Sequence, residues 1–116
     1  MRGYIVKYTV FDIKGFHDYR SWLKDDKSKY EKINDLIQSI QRDGPLKGKG
    51  KPEVLKGSYK GNYSRRIDDK NRLIYQYYED KKTGDSNTLI LGCKEHYSGS
   101  ENTEKQKCLA IVNVLE

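Results

Sequence analysis

Apolar positions change their spacing along this chain, and the changes mark its elements. Tyr4-Ile5-Val6-Lys7-Tyr8-Thr9-Val10-Phe11 is rich in β-branched and aromatic residues and predicts a strand. Gly15 ends the turn that follows. Phe16, Tyr19 and Leu23 then recur at threes and fours, which predicts a short helix over His17–Leu23. Tyr30, Ile33, Ile37 and Ile40, with Leu36 beside them, form the clearest stripe and predict a helix over Ser28–Gln41. Asp25, Asp26 or Ser28 would cap it, and Asp43-Gly44-Pro45 would stop it. Gly44 to Gly57, with its glycines and both prolines, reads as a long loop too irregular for a ladder.

The second half of the chain alternates. Tyr59–Ile67 and Asn71–Glu79 read as strands joined by Asp68-Asp69-Lys70. Lys82–Ser86 is a hairpin turn and Asn87–His96 the next strand. Two helices followed by consecutive strands predict an α+β domain, with N-terminal helices packed on a small, antiparallel-rich, twisted sheet. Ser98–Lys105 is a polar connector, and Cys108–Leu115 is an apolar run that requires burial, as an added strand or in a partner. The organisation expected is one domain over 1–97 and a C-terminal extension over 98–116.

Composition narrows the reading. Only 34% of the 116 residues are hydrophobic and mean hydropathy is −0.99, so the core is small, supplemented by ten tyrosines. No apolar run approaches the roughly 20 residues of a membrane span, and Met1–Phe11 lacks a signal-peptide cleavage pattern. The two cysteines, Cys93 and Cys108, sit in segments that look buried or strand-like, which fits a reduced, cytoplasmic protein. The net charge of +6 arises in one stretch: Arg42–Arg72 holds ten Lys/Arg against four Asp/Glu, and the remainder balances. A polyanion partner is the natural reading, and a solvated lysine loop the plainer one.

That stretch contains an inventory for cleaving RNA. RNA carries its own nucleophile, the 2′-hydroxyl, so a protein needs a base, a cation for the phosphate and an acid for the leaving 5′-oxygen, and no metal or other cofactor. Glu53 is the carboxylate of the basic loop, among Lys49, Lys51 and Lys56. Cations so close make a carboxylate a poorer base, although a bound phosphate would offset part of their field. Arg65 and Arg66 point to opposite faces if they lie in a strand, so at most one faces a given site. Arg72 heads the next strand, where a hairpin would bring it near Arg66, and arginine's fork suits phosphate oxygens. His96 offers an imidazole that titrates near neutrality, and Tyr97 or Tyr63 a ring for stacking on a base. Each has a structural reading too: a glutamate neutralising lysines, arginines capping a sheet, a strand-end histidine, tyrosines filling a core. Cys93 and His96 lack the second pair of ligands that zinc requires, and Ser64 has no histidine–acid set.

In order and spacing, these residues resemble a known family. Trp22, Lys32-Ile33-Asn34-Asp35-Leu36-Ile37, Gly48-Lys49-Gly50-Lys51-Pro52-Glu53, Leu55-Lys56, Ser64-Arg65-Arg66-Ile67, Arg72-Leu73-Ile74-Tyr75 and His96-Tyr97 are similar to the YoeB/Txe toxins, RelE-like members of type II toxin–antitoxin systems. The resemblance runs from about Asp18 to Tyr97. It implies a RelE-like ribonuclease fold and metal-independent cleavage of mRNA in the ribosomal A site, against ribosomal RNA. It implies Glu53 as general base, His96 as general acid, Arg72 at the scissile phosphate, Arg66 and Lys56 assisting, and Tyr97 placing the nucleotide. A YefM/Axe-like antitoxin and homodimers are the partners it implies. The chain departs from the family in the residues after Tyr97, in an extended start and in a lengthened hairpin at Lys82–Asn87. The alternative is a non-catalytic RNA- or ribosome-binding domain that uses the same charge.

Overall fold

Asp12 fixes where the helical layer begins. Its backbone is extended and its side chain accepts the Gly15 N–H at 2.6 Å, so the first helix, α1, runs Ile13–Asp25. The computed structural model describes residues 3–57 and 60–96, with the side chains of Glu95 and His96 excepted. Asp26 ends α1 and caps the next helix, α2 (Lys27–Asp43), by accepting from the Ser28 N–H at 3.1 Å. Gly44, at φ 90°, closes α2. The strands are β1 (Lys7–Phe11), β2 (Glu53–Val54), β3 (Tyr63–Arg66), β4 (Asn71–Glu79) and β5 (Ser86–His96).

The five strands form one mixed sheet in the order β1-β5-β4-β3-β2. β1 pairs parallel with β5, and the other pairs are antiparallel. Both helices cover one face. There Ile33, Leu36, Ile37 and Ile40 of α2 meet Leu73 and Tyr75 of β4, Ile90 and Cys93 of β5, and Trp22 of α1. On the opposite face Leu55, Ile74 and Leu91 form a small second cluster with Leu89. The architecture is the α+β arrangement that the pattern predicts. No helix among the described residues is long and apolar enough to cross a membrane.

The element bounds correct the pattern in several places. The first helix is 13 residues long rather than the seven of His17–Leu23, because Asp12 caps it and Gly15 lies inside it. A Cβ at Gly15 would run into the Ile90 carbonyl, so glycine there lets α1 lie directly on β5. The long loop contains a ladder after all, the two-residue β2. The first strand starts at Lys7 rather than Tyr4, and β3 covers Tyr63–Arg66; Tyr59 lies outside the described residues, as do Tyr97 and the 98–116 extension. β4 coincides with its expected span and β5 begins one residue early, at Ser86.

The close approach at Gly15 yields a prediction. Gly15→Ala improves helix propensity locally but pushes α1 off β5, an overpacking cost of about 1–3 kcal/mol. Urea unfolding should show a lowered midpoint with an unchanged slope. A midpoint at or above the wild-type value would mean that α1 shifts without loss.

Candidate RNA-binding and catalytic face

The basic loop is built around a buried arginine. Arg65 lies on the helix-covered face of β3 with no exposure at all. Its five N–H donors meet five oxygens: Nε donates to the Tyr75 hydroxyl at 2.9 Å, Nη1 to Ser39 Oγ at 2.9 Å and the Lys49 carbonyl at 2.8 Å, and Nη2 to the carbonyls of Gly44 and Lys47, both at 2.7 Å. The expectation that Arg65 binds RNA phosphate is therefore corrected: every donor is spent inside the fold.

Its two hydroxyl partners are saturated as well. Ser39 Oγ accepts from Arg65 and from the Lys49 N–H at 2.9 Å, and donates to Asp43 at 3.1 Å. The Tyr75 hydroxyl donates to the Pro45 carbonyl at 2.6 Å; burial pushes its pKa up, which keeps the proton in place, and Arg65 opposes that only in part. Asp43 is held below the usual carboxylate range by Arg42 first, with Ser39 and Arg65 adding to the effect.

Carbonyls turned inward leave side chains turned outward. Lys47, Lys49 and Lys51 are all exposed on the loop that Arg65 straps down. The alternating glycines have a packing reason. A Cβ at Gly48 would collide with Ser39 and Asp43, and one at Gly50 with Leu36, and both residues sit at positive φ (101° and 84°). The Arg66 N–H then clips the Gly50 carbonyl at 2.7 Å, and the ladder begins at once with Glu53 opposite Ser64.

Register gathers Glu53, Arg66 and Arg72 on the helix-free face. Glu53 pairs with Ser64, Arg66 lies two residues further along β3, and Arg66 pairs with Arg72. Glu53 thus stands on the neighbouring strand, offset by about 7 Å along the strand direction from the arginine pair. Arg65 and Arg66 fall on opposite faces as strand alternation requires, and Arg66 is the half-exposed one. Arg66 is ion-paired with Asp69, and Arg72 donates from Nη1 to the carbonyls of Asp68 (2.7 Å) and Asn71 (3.1 Å). In β5, Glu95 is opposite Arg72 and His96 opposite Asn71. The backbone of His96 thus ends a strand one ladder step from Arg72, while its side chain and Tyr97 lie outside the described residues. Lys56 is exposed just past buried Leu55, and Glu53 is exposed on β2. Cys93 is buried in the core, with its Sγ 4.0 Å from the Gly15 carbonyl oxygen.

The turn that carries Arg72 is set by Asp68. Its carboxylate accepts from the N–H groups of Lys70 (2.8 Å) and Asn71 (2.6 Å) and from the Asn71 side chain, with Lys29 at 3.5 Å. Burial pushes its pKa up, but those hydrogen bonds and Lys29 outweigh it and hold the carboxyl at about 2 instead of 3.8.

Sequence reasoning missed Ser39 and the inward role of Arg65. The signal was a polar residue within the α2 apolar stripe, which calls for a buried partner.

The comparisons with known proteins agree with this fold and spacing. Residues 11–97 match the model of the YoeB-like toxin of bacterial type II toxin–antitoxin systems. Toxin YoeB of Streptomyces coelicolor is 44% identical over 88 residues, 76% of this chain and 96% of that protein. Among solved structures, the heterotetrameric YoeB–YefM toxin–antitoxin complex of Staphylococcus aureus shares 42% identity at a TM-score of 0.65, covering 77% of this chain and 95% of that one. The YoeB dimer of the same organism shares 41% at 0.67, covering 78% and 97%.

Two predictions come from this geometry. Arg65→Met leaves the Gly44, Lys47 and Lys49 carbonyls without their donor and removes one of the two donors to Ser39 Oγ, at a cost of about 3–5 kcal/mol. Hydrogen exchange should quicken across the amides of 44–52 before it does in β4; uniform exchange rates would show that the loop does not depend on Arg65. For Asp68 the native pKa is depressed, so its contribution is complete above pH about 4 and is lost as pH falls through about 2. Asp68→Asn mimics the protonated carboxyl. Its melting temperature should fall below wild type at pH 7, and the gap should close between pH 4 and 2. A gap that persists at pH 2 would refute the linkage.

Proposed function

The chain belongs to the YoeB-like toxin family of bacterial type II toxin–antitoxin systems, and on that premise we propose that it is a ribosome-dependent endoribonuclease that cleaves mRNA in the A site. The reading rests on one observation: strand register collects Glu53, Arg66 and Arg72 on the helix-free face, beside the exposed lysines of the 44–51 loop and one ladder step from the His96 backbone. In this reading Glu53 takes the proton of the 2′-hydroxyl, and that oxygen attacks the adjacent phosphorus. Arg72, with Arg66, bears the charge that develops on the phosphate oxygens. The bond to the 5′-oxygen breaks as His96 protonates it, leaving a 2′,3′-cyclic phosphate and a 5′-hydroxyl end. Tyr97 holds the nucleotide, and Lys49, Lys51 and Lys56 bind phosphates of mRNA or ribosomal RNA. No metal or cofactor enters the reaction.

The partners follow from the same premise. The S. aureus relative is found with YefM and as a dimer; for this chain we infer a YefM/Axe-like antitoxin, homodimers and action in the cytoplasm. Residues 1–97 form the toxin domain in this reading.

The test is primer extension on translated mRNA. Glu53→Gln and His96→Gln should each lower single-turnover cleavage by roughly 10² or more, and Arg72→Lys should bind ribosomes but lose rate. Lys49→Ala with Lys51→Ala should flatten the salt dependence of ribosome binding. Ribosome binding with no cleavage by wild type would favour the non-catalytic reading. Products with 5′-phosphates would rule out attack by the 2′-hydroxyl.

A further inference from the structure

Helix α1 turns Trp22 inward but carries Ile13, Phe16 and Leu23 on the outside. The face turned to the sheet presents Gly15, Asp18 and Trp22, all buried. The outer face presents Ile13 (88% exposed), Phe16 and Leu23 (52% exposed), with Arg20 between them at 5.7 Å over the Phe16 ring. These residues border a groove of about 760 Å³ that also takes in Tyr19 and Tyr30. An outer stripe this apolar, recurring at threes and fours, is expected of a helix covered on both sides.

We propose that this groove receives the chain's own apolar run, Cys108–Leu115. The extension starts beside it. Lys94, two residues before the end of β5, bonds Asp25 at 2.6 Å and lies 4.6 Å over the Trp22 ring, while the Trp22 indole N–H donates to the Cys93 carbonyl at 2.8 Å. β5 therefore ends at the C-terminal turn of α1, where the groove begins at Leu23 and Lys24. The eleven residues between His96 and Cys108 span up to about 40 Å, and the groove runs back only about 15 Å along α1 from Leu23 to Ile13. The run offers Leu109, Ile111, Val112, Val114 and Leu115 to the apolar floor. The connector carries Glu101 and Glu104 past a rim that holds Arg20 and Lys24. A tether this short gives an effective concentration in the millimolar range, which favours the chain's own segment over a second copy. The groove lies on the helical side, so its occupancy leaves the face with Glu53, Arg66 and Arg72 open. The inference stands independently of the proposed cleavage.

Cys108 supplies its own probe. The full chain carrying Leu23→Cys, held with oxidised glutathione, should form an intramolecular disulfide between the new thiol and Cys108, identified by peptide mass; buried Cys93 stays unreacted. Leu23 is exposed, so the substitution leaves the fold intact. The full chain carrying Tyr8→Cys tests the alternative, addition of the run as a strand on β1. Cross-linking at position 8 instead of 23, cross-linked dimers, or no cross-link at either position would each overturn the proposal. As a second readout, Ile13→Asp with Leu23→Asp should speed tryptic cleavage after Lys105 and Lys107 at least about tenfold, because a docked segment is protected. Equal rates in both forms would also overturn it.

Discussion

A guanidinium taken fully out of water is tolerated only where every donor finds an oxygen, and Arg65 meets that condition with acceptors from three separate parts of the chain. Ser39 belongs to α2, Tyr75 to β4, and the carbonyls of Gly44, Lys47 and Lys49 to the loop between them. No acceptor is dispensable, because a buried donor without a partner costs more than the bond gains. The loop cannot lift away without stranding a charge, nor can α2 slide along the sheet without breaking the Ser39 contact. One buried cation thus converts a glycine-broken loop into a fixed part of the sheet edge. The lysines project outward because the carbonyls beside them point inward.

The amphipathic parts of the fold were legible in the sequence. The Ile33–Ile37–Ile40 stripe marked α2, and alternation over Asn71–Glu79 marked β4 to the residue. α1 was misread because its inner face relies on the smallness of Gly15 and the hydrogen bonds of Asp18, neither of which a hydrophobic pattern registers. Apart from Trp22, its large aliphatic and phenyl side chains, Ile13, Phe16 and Leu23, lie on the outer face. β2 was invisible because two residues carry no period; its pairing comes from β3 and from the clip between Arg66 and Gly50. The arginine pair at 65 and 66 shows where reading by residue type stops. Alternation separates the two faces without saying which is the core, and here the inward side chain is the more polar choice. The partner that decides it, Ser39, lies 26 positions away.

The two faces of the sheet divide the work. The helix side holds nearly all of the core, so positions are fixed there. Among the described residues the other side has only the Leu55–Ile74–Leu91 cluster, around which cations stand at register positions set by that core. Arg66 directly opposite Arg72 is an unfavourable arrangement in an isolated sheet. Asp69 and the carbonyls of the 68–71 turn hold the pair in place. Like charges held together on an open face are relieved by an anion, and a turn carboxylate kept ionised down to about pH 2 holds that arrangement constant across the physiological range.

β2 forms the edge beside Glu53. It is two residues long and flanked by Lys51 and Lys56, both features that discourage another strand from adding there. Among the described residues β1 forms the other edge. It is longer, and exposes Tyr8 and Val10. A partner that pairs by backbone is therefore directed to the β1 side, with β5 between it and the arginine pair on β4 and β3. A partner that reaches the candidate site must instead be drawn by charge and bind through side chains. Any polyanion drawn to that face meets the Arg66–Arg72 pair and the lysine loop together, at positions that the core has already fixed.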